Sequence, residues 1–239
     1  MNNRDSRTEM LIGKEAVARL KKAKVAVFGI GGVGGYALEA LCRAGVGEFL
    51  LVDSDTVCES NLNRQIIATE RTVGQYKTDA AKARVLEINS DAKVETRAEF
   101  FSPENADGFD LSTFDYIIDA IDSLPSKLAL IAKAKREGVK IISAMGAGNK
   151  LDPTKFEVSD ISKTTVCPLA RAVRLGLRKM GITHLKVVYS KELPVRVFAE
   201  GEERAPASIS FVPSAMGLII GGEVIKDLVL EKREDINEN

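Results

Sequence analysis

The chain has 239 residues, of which 45% are hydrophobic and 28% charged, and its formal net charge at pH 7 is zero. This composition is typical of an ordinary globular protein with a large core, and it gives no global basic field for nucleic acid, although a local patch could still bind it. Three widely spaced cysteines, Cys42, Cys58 and Cys167, argue against a disulfide framework and a structural zinc site, and the single histidine, His184, excludes any mechanism that needs two.

The ends of the chain carry no pattern typical of membrane association. The first seven residues lack the apolar core of a signal peptide. The most apolar late segment, 211–230, contains Glu223, Lys226 and Asp227, and these charges interrupt it too often for a bilayer span. The sequence therefore predicts a cytoplasmic protein without membrane contact.

Helical and strand patterns alternate through the first 145 residues. A first helix is predicted over 9–23, with an apolar side formed by Leu11, Ile12, Ala16, Val17 and Leu20. Strands are predicted over 25–30, 48–53, 94–98, 115–119 and 139–143, with helices over 33–44, 72–89 and 125–137 between them. Continuous apolar runs such as 25–30 are typical of buried parallel strands. The alternation predicts a Rossmann-like, doubly wound α/β fold with a mainly parallel sheet.

The pattern becomes less regular after Met145. Strand-like runs are predicted over 156–161 and 185–190, a basic helix over 168–180, a polar loop over 201–206 and a closing helix over 213–230. We expect one domain, 1–239, in which about 24–145 binds a nucleotide and about 146–239 forms a crossover and a substrate-facing, partly mixed part of the sheet.

A glycine-rich turn, GIGGVGG at 29–35, follows the first predicted strand. Backbone N–H groups and the positive end of a helix bind phosphate at such a turn, and glycine is needed because a Cβ would block close approach. Alone, the turn would suggest a dinucleotide-binding dehydrogenase. Asp53 ends the next predicted strand, where a carboxylate accepts hydrogen bonds from ribose hydroxyls.

The charges that follow this acid favour ATP over a nicotinamide dinucleotide. Arg64, in the stretch NLNRQ at 61–65, is a planar fork suited to two phosphate oxygens, and Lys77 begins the next helical segment. Together they can neutralise phosphoryl oxygens as pyrophosphate leaves. Asp119 and Asp122 lie at the carboxyl end of a parallel strand, which faces the ligand crevice. Asp122 is the favoured Mg²⁺ ligand, whereas Asp119 could instead cap the following turn.

Five motifs, GIGGVGG, LVDSDTV, NLNRQ, the helix-starting Lys77 and the loop DAIDS, occur in this order along the chain. The combination resembles the ThiF/MoeB-type superfamily, relatives of the ubiquitin-activating enzymes that adenylate a carboxylate with MgATP. Three longer segments resemble the tRNA threonylcarbamoyladenosine dehydratase family within it. They are SRTEMLIGKEAVARLKKAKVAVFGIGGVGG, KFEVSDISKTTVCPLARAVRLGLRKMGI and SFVPSAMGLIIGGEVIKDL.

The resemblance implies an ATP-dependent cyclisation of threonylcarbamoyladenosine beside the anticodon of tRNA. ATP would activate the threonyl carboxylate as an acyl-adenylate, and a nitrogen of the same modification would displace AMP, with net loss of water. Ring closure within one substrate needs proximity more than an enzymic nucleophile, which explains why no Cys–His or Ser–His pair is needed. The alternative is an adenylyltransferase for a ubiquitin-like sulfur-carrier protein, with Cys167 as the acceptor.

The family pattern also implies roles for single positions. It places Gly29, Gly31, Gly32 and Gly34 under the nucleotide, Asp53 on the ribose, Ser60, Asn61, Asn63, Arg64 and Lys77 around the nucleotide and its phosphates, Asp122 on Mg²⁺ and Ser123 in the adenine-side loop. Arg7 would reach into the partner subunit's site as an arginine finger, so the resemblance implies a homodimer. A sulfur-relay protein partner is left open.

The predicted basic helix has two interpretations. Its cations, with helical spacing, are Arg171, Arg174, Arg178 and Lys179. They would either contact the phosphate backbone of tRNA or form a solvated helix face.

Overall fold

The fold is built on one sheet. The structure, a computed structural model, describes residues 4–195 and 206–230. Its strands are β1 Lys24–Phe28, β2 Glu48–Val52, β3 Lys93–Arg97, β4 Tyr116–Asp119, β5 Lys140–Ala144, β6 Phe156–Asp160 and β7 Lys186–Ser190. They lie in the order β3–β2–β1–β4–β5–β7–β6, and neighbours are parallel except for β6 and β7. This confirms the predicted doubly wound, mainly parallel sheet with a mixed second half.

Helices cover both faces of the sheet. They are α1 Ser6–Ile12, α2 Lys14–Lys22, α3 Gly34–Ala44, α4 Lys77–Ile88, α5 Leu124–Arg136, α6 Pro168–Lys179 and α7 Phe211–Leu230. Side chains of α2, α3, α4 and α7 share one core with alternate residues of the central strands, and α5, α6 and parts of the segment 101–111 share the other. Within the described residues, no helix has the length and apolar character needed to cross a membrane.

The last helix packs closely on the helix that follows the glycine turn. A Cβ on Gly221 of α7 would lie 2.7 Å from the Ala40 Cβ of α3, which is closer than real Cβ contacts. Met216 and Ile220 of the same helix are fully buried in the core. The first and last parts of the described chain therefore share one core.

The predicted helix over 9–23 is wrong in one respect, because the structure divides it at Gly13. This residue has φ +89°, a conformation that ends α1 and redirects the chain into α2. Ala16, Val17 and Leu20 are buried as predicted, whereas Leu11, on the other side of the break, is 83% exposed. The helical segment predicted from residue 72 begins only at Lys77, after a run of turns.

Candidate active site

A cavity of about 360 Å³ opens at the carboxyl ends of β1, β2 and β4. Parallel doubly wound sheets bind ligands at this edge. The cavity is lined by eight residues predicted to form the site: Gly29, Gly31, Gly32, Asp53, Asn61, Arg64, Lys77 and Asp122. The segments that follow β1, β2 and β4 thus bring backbone amides, two cations and two acids to one place.

The glycine turn forms the floor of the cavity at the end of β1. Gly29 has φ +87°, and a Cβ there would lie 2.6 Å from the Ala120 carbonyl oxygen. A Cβ on Gly34, in the first turn of α3, would overlap the Gly29 carbonyl oxygen. Only glycine fits both positions, so the turn stays narrow and α3 directs its N-terminus at the cavity.

Asp53 is held rigidly at the end of β2. Its Oδ2 accepts a hydrogen bond from the Ile30 backbone N–H at 2.6 Å, and its Oδ1 accepts one from the Asp55 N–H at 2.9 Å. Burial raises the pKa of this carboxyl above its ordinary value, and the nearby Lys77 cation partly opposes that shift. The bond from Ile30 connects the glycine turn to the acid, and the bond from Asp55 fixes its other oxygen, so the carboxylate is already positioned at the cavity.

Lys77 reaches the cavity from a buried position at the start of α4. The residue is 6% exposed, and its Nζ donates to Asp55 Oδ2 at 2.7 Å. Because a buried ammonium needs an acceptor, the bond to Asp55 holds this cation in place at the cavity. Asp55 thus acts on the cavity through Lys77.

Arg64 follows the turn that contains Asn61. Its Nη1 donates to the Ser60 carbonyl oxygen at 2.8 Å and to Asn63 Oδ1 at 2.9 Å. Asn61 Oδ1 accepts from the Cys58 backbone N–H at 3.3 Å, which closes the turn. The guanidinium is therefore positioned by its own turn, and Arg64 lines the cavity.

The loop after β4 carries both acids considered for a metal. Asp119 is fully buried and pairs with Lys127, with 2.8 Å between Oδ2 and Nζ. It also accepts a hydrogen bond from the Ile121 N–H at 3.1 Å, in agreement with a cap of this turn. Asp122 is exposed and lines the cavity. Only Asp122 of the two is therefore available to a ligand there.

Several predicted residues lie beside the cavity rather than on its wall. Ser60 and Asn63 belong to the Arg64 turn, and Asn63 Nδ2 donates to the Ser208 carbonyl oxygen at 3.1 Å. Ser123 is the N-cap of α5, directly after Asp122. Gly34 packs under the turn rather than facing the cavity. These positions shape the site, and their direct contact with a nucleotide stays a prediction.

Arg7 is exposed on α1, which is anchored at the opposite edge of the sheet. The neighbouring Arg4 donates to the Ile88 carbonyl oxygen at 3.4 Å, between α4 and β3, where the amino ends of the strands lie. Asp5 lies 3.7 Å from the position of a Cβ on Gly45, just before β2. Arg7 therefore does not line the cavity of its own chain.

Residues without a predicted role also line the cavity. Gln65 is 6% exposed, and its buried Oε1 has no hydrogen-bond partner among the described residues. Such an acceptor requires a donor, which a ligand or a water molecule would supply. Glu99, Phe100 and Phe101 line the wall after β3. Their position directly after a parallel strand is the signal from which the sequence could have placed them here.

Cys42, Cys167 and His184 do not line the cavity. Cys42 is fully buried, and burial raises the pKa of its thiol to about 11. Cys167 is 3% exposed at the start of α6, with its Sγ 3.5 Å from the position of a Cβ on Gly146. The His184 side chain is 80% exposed beside Asp160. A covalent role for Cys167 would require this loop to open.

The comparisons with known proteins agree with this geometry. Residues 5–239 match the model of the ThiF family. The chain is 44% identical over 238 residues to the tRNA threonylcarbamoyladenosine dehydratase of Bacillus subtilis, with 94% of both chains covered. A crystal structure of the Escherichia coli tRNA N6-threonylcarbamoyladenosine dehydratase, TcdA, in complex with ATP is similar with a TM-score of 0.87 and 33% identity, covering 95% of this chain and 94% of that one.

A sulfur-transfer relative matches a smaller part of the chain. The adenylyltransferase and sulfurtransferase UBA4 of Candida glabrata is 34% identical over 149 residues, which is 62% of this chain and 31% of that protein. The relative from Bacillus subtilis and the TcdA structure each match at least 94% of both chains, and both carry the dehydratase name. The chain therefore belongs to the ThiF family, and within it to the tRNA threonylcarbamoyladenosine dehydratases.

Proposed function

We propose that this protein uses ATP to dehydrate threonylcarbamoyladenosine beside the anticodon of tRNA. The observation that carries the proposal is the cavity in which a glycine turn, Arg64, Lys77 and Asp122 converge. Two cations around a phosphate-binding turn suit a triphosphate, and the similar TcdA structure is a complex with ATP. The chain is proposed to work as a single adenylation domain.

The chemistry needs two displacements. A carboxylate oxygen of the threonyl group attacks the α-phosphorus of ATP and pyrophosphate leaves, which gives an acyl-adenylate. A nitrogen of the same modification then attacks the activated carbonyl carbon, loses its proton and expels AMP, so that a ring closes. Arg64 and Lys77 would neutralise the charge on the departing phosphates, and the cavity would hold the reacting groups together.

A magnesium ion fits the residues at the mouth of the cavity. Among residues 4–195 and 206–230, no cluster of three His, Cys, Asp or Glu side chains could hold a metal ion by itself. Mg²⁺ is commonly bound by one or two carboxylates, with substrate phosphates and water completing its shell. We propose that Asp122 supplies the carboxylate, and the ion would neutralise charge on the phosphates of ATP.

Arg7 would complete the site from a second copy of the chain. Because α1 is anchored at the far edge of the sheet, Arg7 cannot serve the cavity of its own chain without leaving that position. In a homodimer in which α1 of one subunit approaches the cavity of the other, Arg7 would reach the cavity of the second subunit. A tRNA substrate would also place the activity in the cytoplasm.

Mass spectrometry of nucleosides tests the proposed reaction directly. When threonylcarbamoylated tRNA is incubated with the protein and MgATP, the modified adenosine is expected to lose one water, with AMP formed in equal amount. Without ATP, or with unmodified tRNA, neither product should form. No mass change under conditions in which the protein demonstrably binds ATP would contradict the proposal.

The alternative substrate is a sulfur-carrier protein with a carboxyl-terminal carboxylate. The partial likeness to UBA4 favours it, and the burial of Cys167 opposes it because a thiol acceptor must reach the acyl-adenylate. AMP release that depends on a carrier protein rather than on modified tRNA would support the alternative. A sulfur-relay partner stays a hypothesis attached to it.

We propose that tRNA phosphates contact the first turns of α6. This helix carries four basic and no acidic residues, and Arg171 is exposed beside a surface depression formed with Thr165, Pro168 and Arg174. The contact between Cys167 and Gly146, which follows β5, puts this end of α6 at the same edge of the sheet as the cavity. The opposite end, with Arg178, lies at the far edge.

Replacing Arg171 by alanine is expected to weaken tRNA binding roughly fivefold near physiological salt, because one phosphate contact and its counterion release are lost. The slope of log affinity against log salt should fall by about one unit. Filter binding or anisotropy across a salt series measures both quantities. Arg178→Ala is the matched control, with the same charge change on the same helix, and an equal effect of both variants would contradict the assignment.

A further inference from the structure

A fully buried ion pair lies directly behind the loop that carries Asp122. Lys127 Nζ donates to Asp119 Oδ2 at 2.8 Å, to Ser143 Oγ at 3.2 Å and to the Ala144 carbonyl oxygen at 3.0 Å. Lys127, Asp119 and Ser143 have no exposed surface. An ammonium has three N–H groups, so this lysine is completely satisfied.

Both carboxylate oxygens of Asp119 also accept hydrogen bonds. Asp119 Oδ2 accepts from both Lys127 and the Ser143 hydroxyl, while Oδ1 accepts from the Ile121 backbone N–H at 3.1 Å. The network therefore joins the ends of β4 and β5 to the first turns of α5. It also holds the residue that immediately precedes Asp122.

Stability alone is a poor explanation for this pair. The free energy needed to remove two charges from water is commonly larger than the free energy gained from their attraction. Proteins in which apolar residues of similar volume replace such a pair are often equally or more stable. Directed hydrogen bonds also hold the groups that they join in one geometry, a role attested for some buried polar pairs. Here the hydrogen bonds fix the backbone of the loop that follows β4, which lines the cavity.

The loop is held from its other side by the glycine turn. The Ala120 N–H donates to the Phe28 carbonyl oxygen at 2.8 Å, and the Ala120 carbonyl oxygen lies against Gly29, where a Cβ would come within 2.6 Å. The backbone of residues 119–121 is thus fixed between the ion pair and the glycine turn. Asp122 is the first exposed residue of the loop.

We propose that Lys127 is a positioning residue that acts through Asp119 to orient Asp122 toward the metal and phosphates. The inference rests on the proposed role of Asp122 in holding Mg²⁺. Lys127 lies behind the loop and does not line the cavity, so its effect must pass through the 119–121 backbone.

Two readouts separate positioning from general support of the fold. Hydrogen–deuterium exchange measures protection of the Ala120 and Ile121 amides, which donate to Phe28 and Asp119, without any metal or nucleotide. Calorimetric titration with ATP, in EDTA and in Mg²⁺, measures how much Mg²⁺ adds to the affinity. Lys127→Met is expected to raise exchange in 119–123 and to remove at least most of the Mg²⁺-dependent gain, while affinity in EDTA changes less than about twofold.

Lys133→Met is the matched control. Lys133 is a 6% exposed lysine on the same helix, and its Nζ pairs with Glu137 at 2.6 Å, at the end away from the cavity. The control is expected to lower stability without changing exchange in 119–123 or the Mg²⁺-dependent gain. The proposal is overturned if folded Lys127→Met keeps the full Mg²⁺-dependent gain, or if Lys133→Met loses it equally.

Two further variants keep the test decisive if Lys127→Met does not fold. Asp119→Asn/Lys127→Met removes both charges and so avoids an unpaired buried carboxylate. Ser143→Ala keeps the ion pair and removes one hydrogen bond to each partner. Both variants are expected to raise hydrogen exchange at the Ile121 amide. Ser143→Ala is also expected to reduce the Mg²⁺-dependent gain in ATP affinity by about threefold. An unchanged gain in both variants would overturn the proposal.

Failure of the proposed Mg²⁺ role is recognised separately. If the parent protein and Asp122→Ala bind ATP equally in Mg²⁺ and in EDTA, the metal assignment fails whatever Lys127 does. If the parent shows the gain and Asp122→Ala loses it, the metal assignment stands. The Lys127 variants then decide the positioning role alone.

Discussion

Replacing Asp122 by alanine is expected to lower AMP formation by about a hundredfold or more, because the carboxylate proposed to hold the metal against the phosphates is lost. Asp122 is exposed and makes no ion pair with another described residue, so its removal should change the free energy of unfolding by less than about 0.5 kcal/mol. AMP release measured by chromatography and a thermal melt give the two quantities.

The control for this prediction is Asp107→Ala, which removes an exposed acid that does not line the cavity. Its side chain is 97% exposed and approaches Arg136 only at 3.8 Å. This variant is expected to form AMP at the same rate as the parent protein. Undiminished turnover of a folded Asp122→Ala protein would remove Asp122 from the site, and the metal would then need another ligand.

Replacing Arg7 by alanine is expected to lower adenylation by about a hundredfold, because a cation that approaches the phosphates from the second subunit is lost. Binding of the modified tRNA should change little if the side chain acts on ATP alone. Lys14→Ala, an exposed cation just beyond Gly13, is the control and should retain activity. Steady-state AMP formation at saturating ATP measures the difference.

Mixing the two inactive variants tests whether Arg7 acts across subunits. A dimer of Arg7→Ala with Asp122→Ala contains one site with both groups intact and one site with neither. Random mixing of equal amounts should therefore restore about a quarter of the parent activity. If mixed dimers form, as native mass spectrometry can establish, and no activity returns, Arg7 does not act in trans.

The cavity was largely predictable from the sequence because its residues follow strands of a predicted parallel sheet. Asp53 and Asp122 follow β2 and β4, and the carboxyl ends of these strands meet at one edge. The same rule would have placed Phe100 and Phe101, which follow β3. The glycine turn could be located because its spacing is set by local backbone geometry rather than by distant contacts.

Features that depend on tertiary contacts could not be predicted. Lys127 has the sequence context of an ordinary helix cation, and nothing local indicates that its ammonium meets Ser143 on the next strand. The break at Gly13 was missed because apolar spacing continues across it, although the left-handed φ turns Leu11 away from the core. A glycine in a helical pattern is compatible with either outcome.

The way the end of the chain returns to the nucleotide site has a consequence for protein synthesis. The Ser208 carbonyl oxygen accepts a hydrogen bond from the side-chain amide of Asn63. Pro213 lies 3.3 Å from the position of a Cβ on Gly32, and α7 then packs on α3. A growing chain leaves the ribosome amino end first, so the glycine turn emerges long before these contacts can form. The site therefore reaches its final form only after residues 208–230 have been synthesised and released, and a chain that stalls before them would expose the α3 surface that α7 covers.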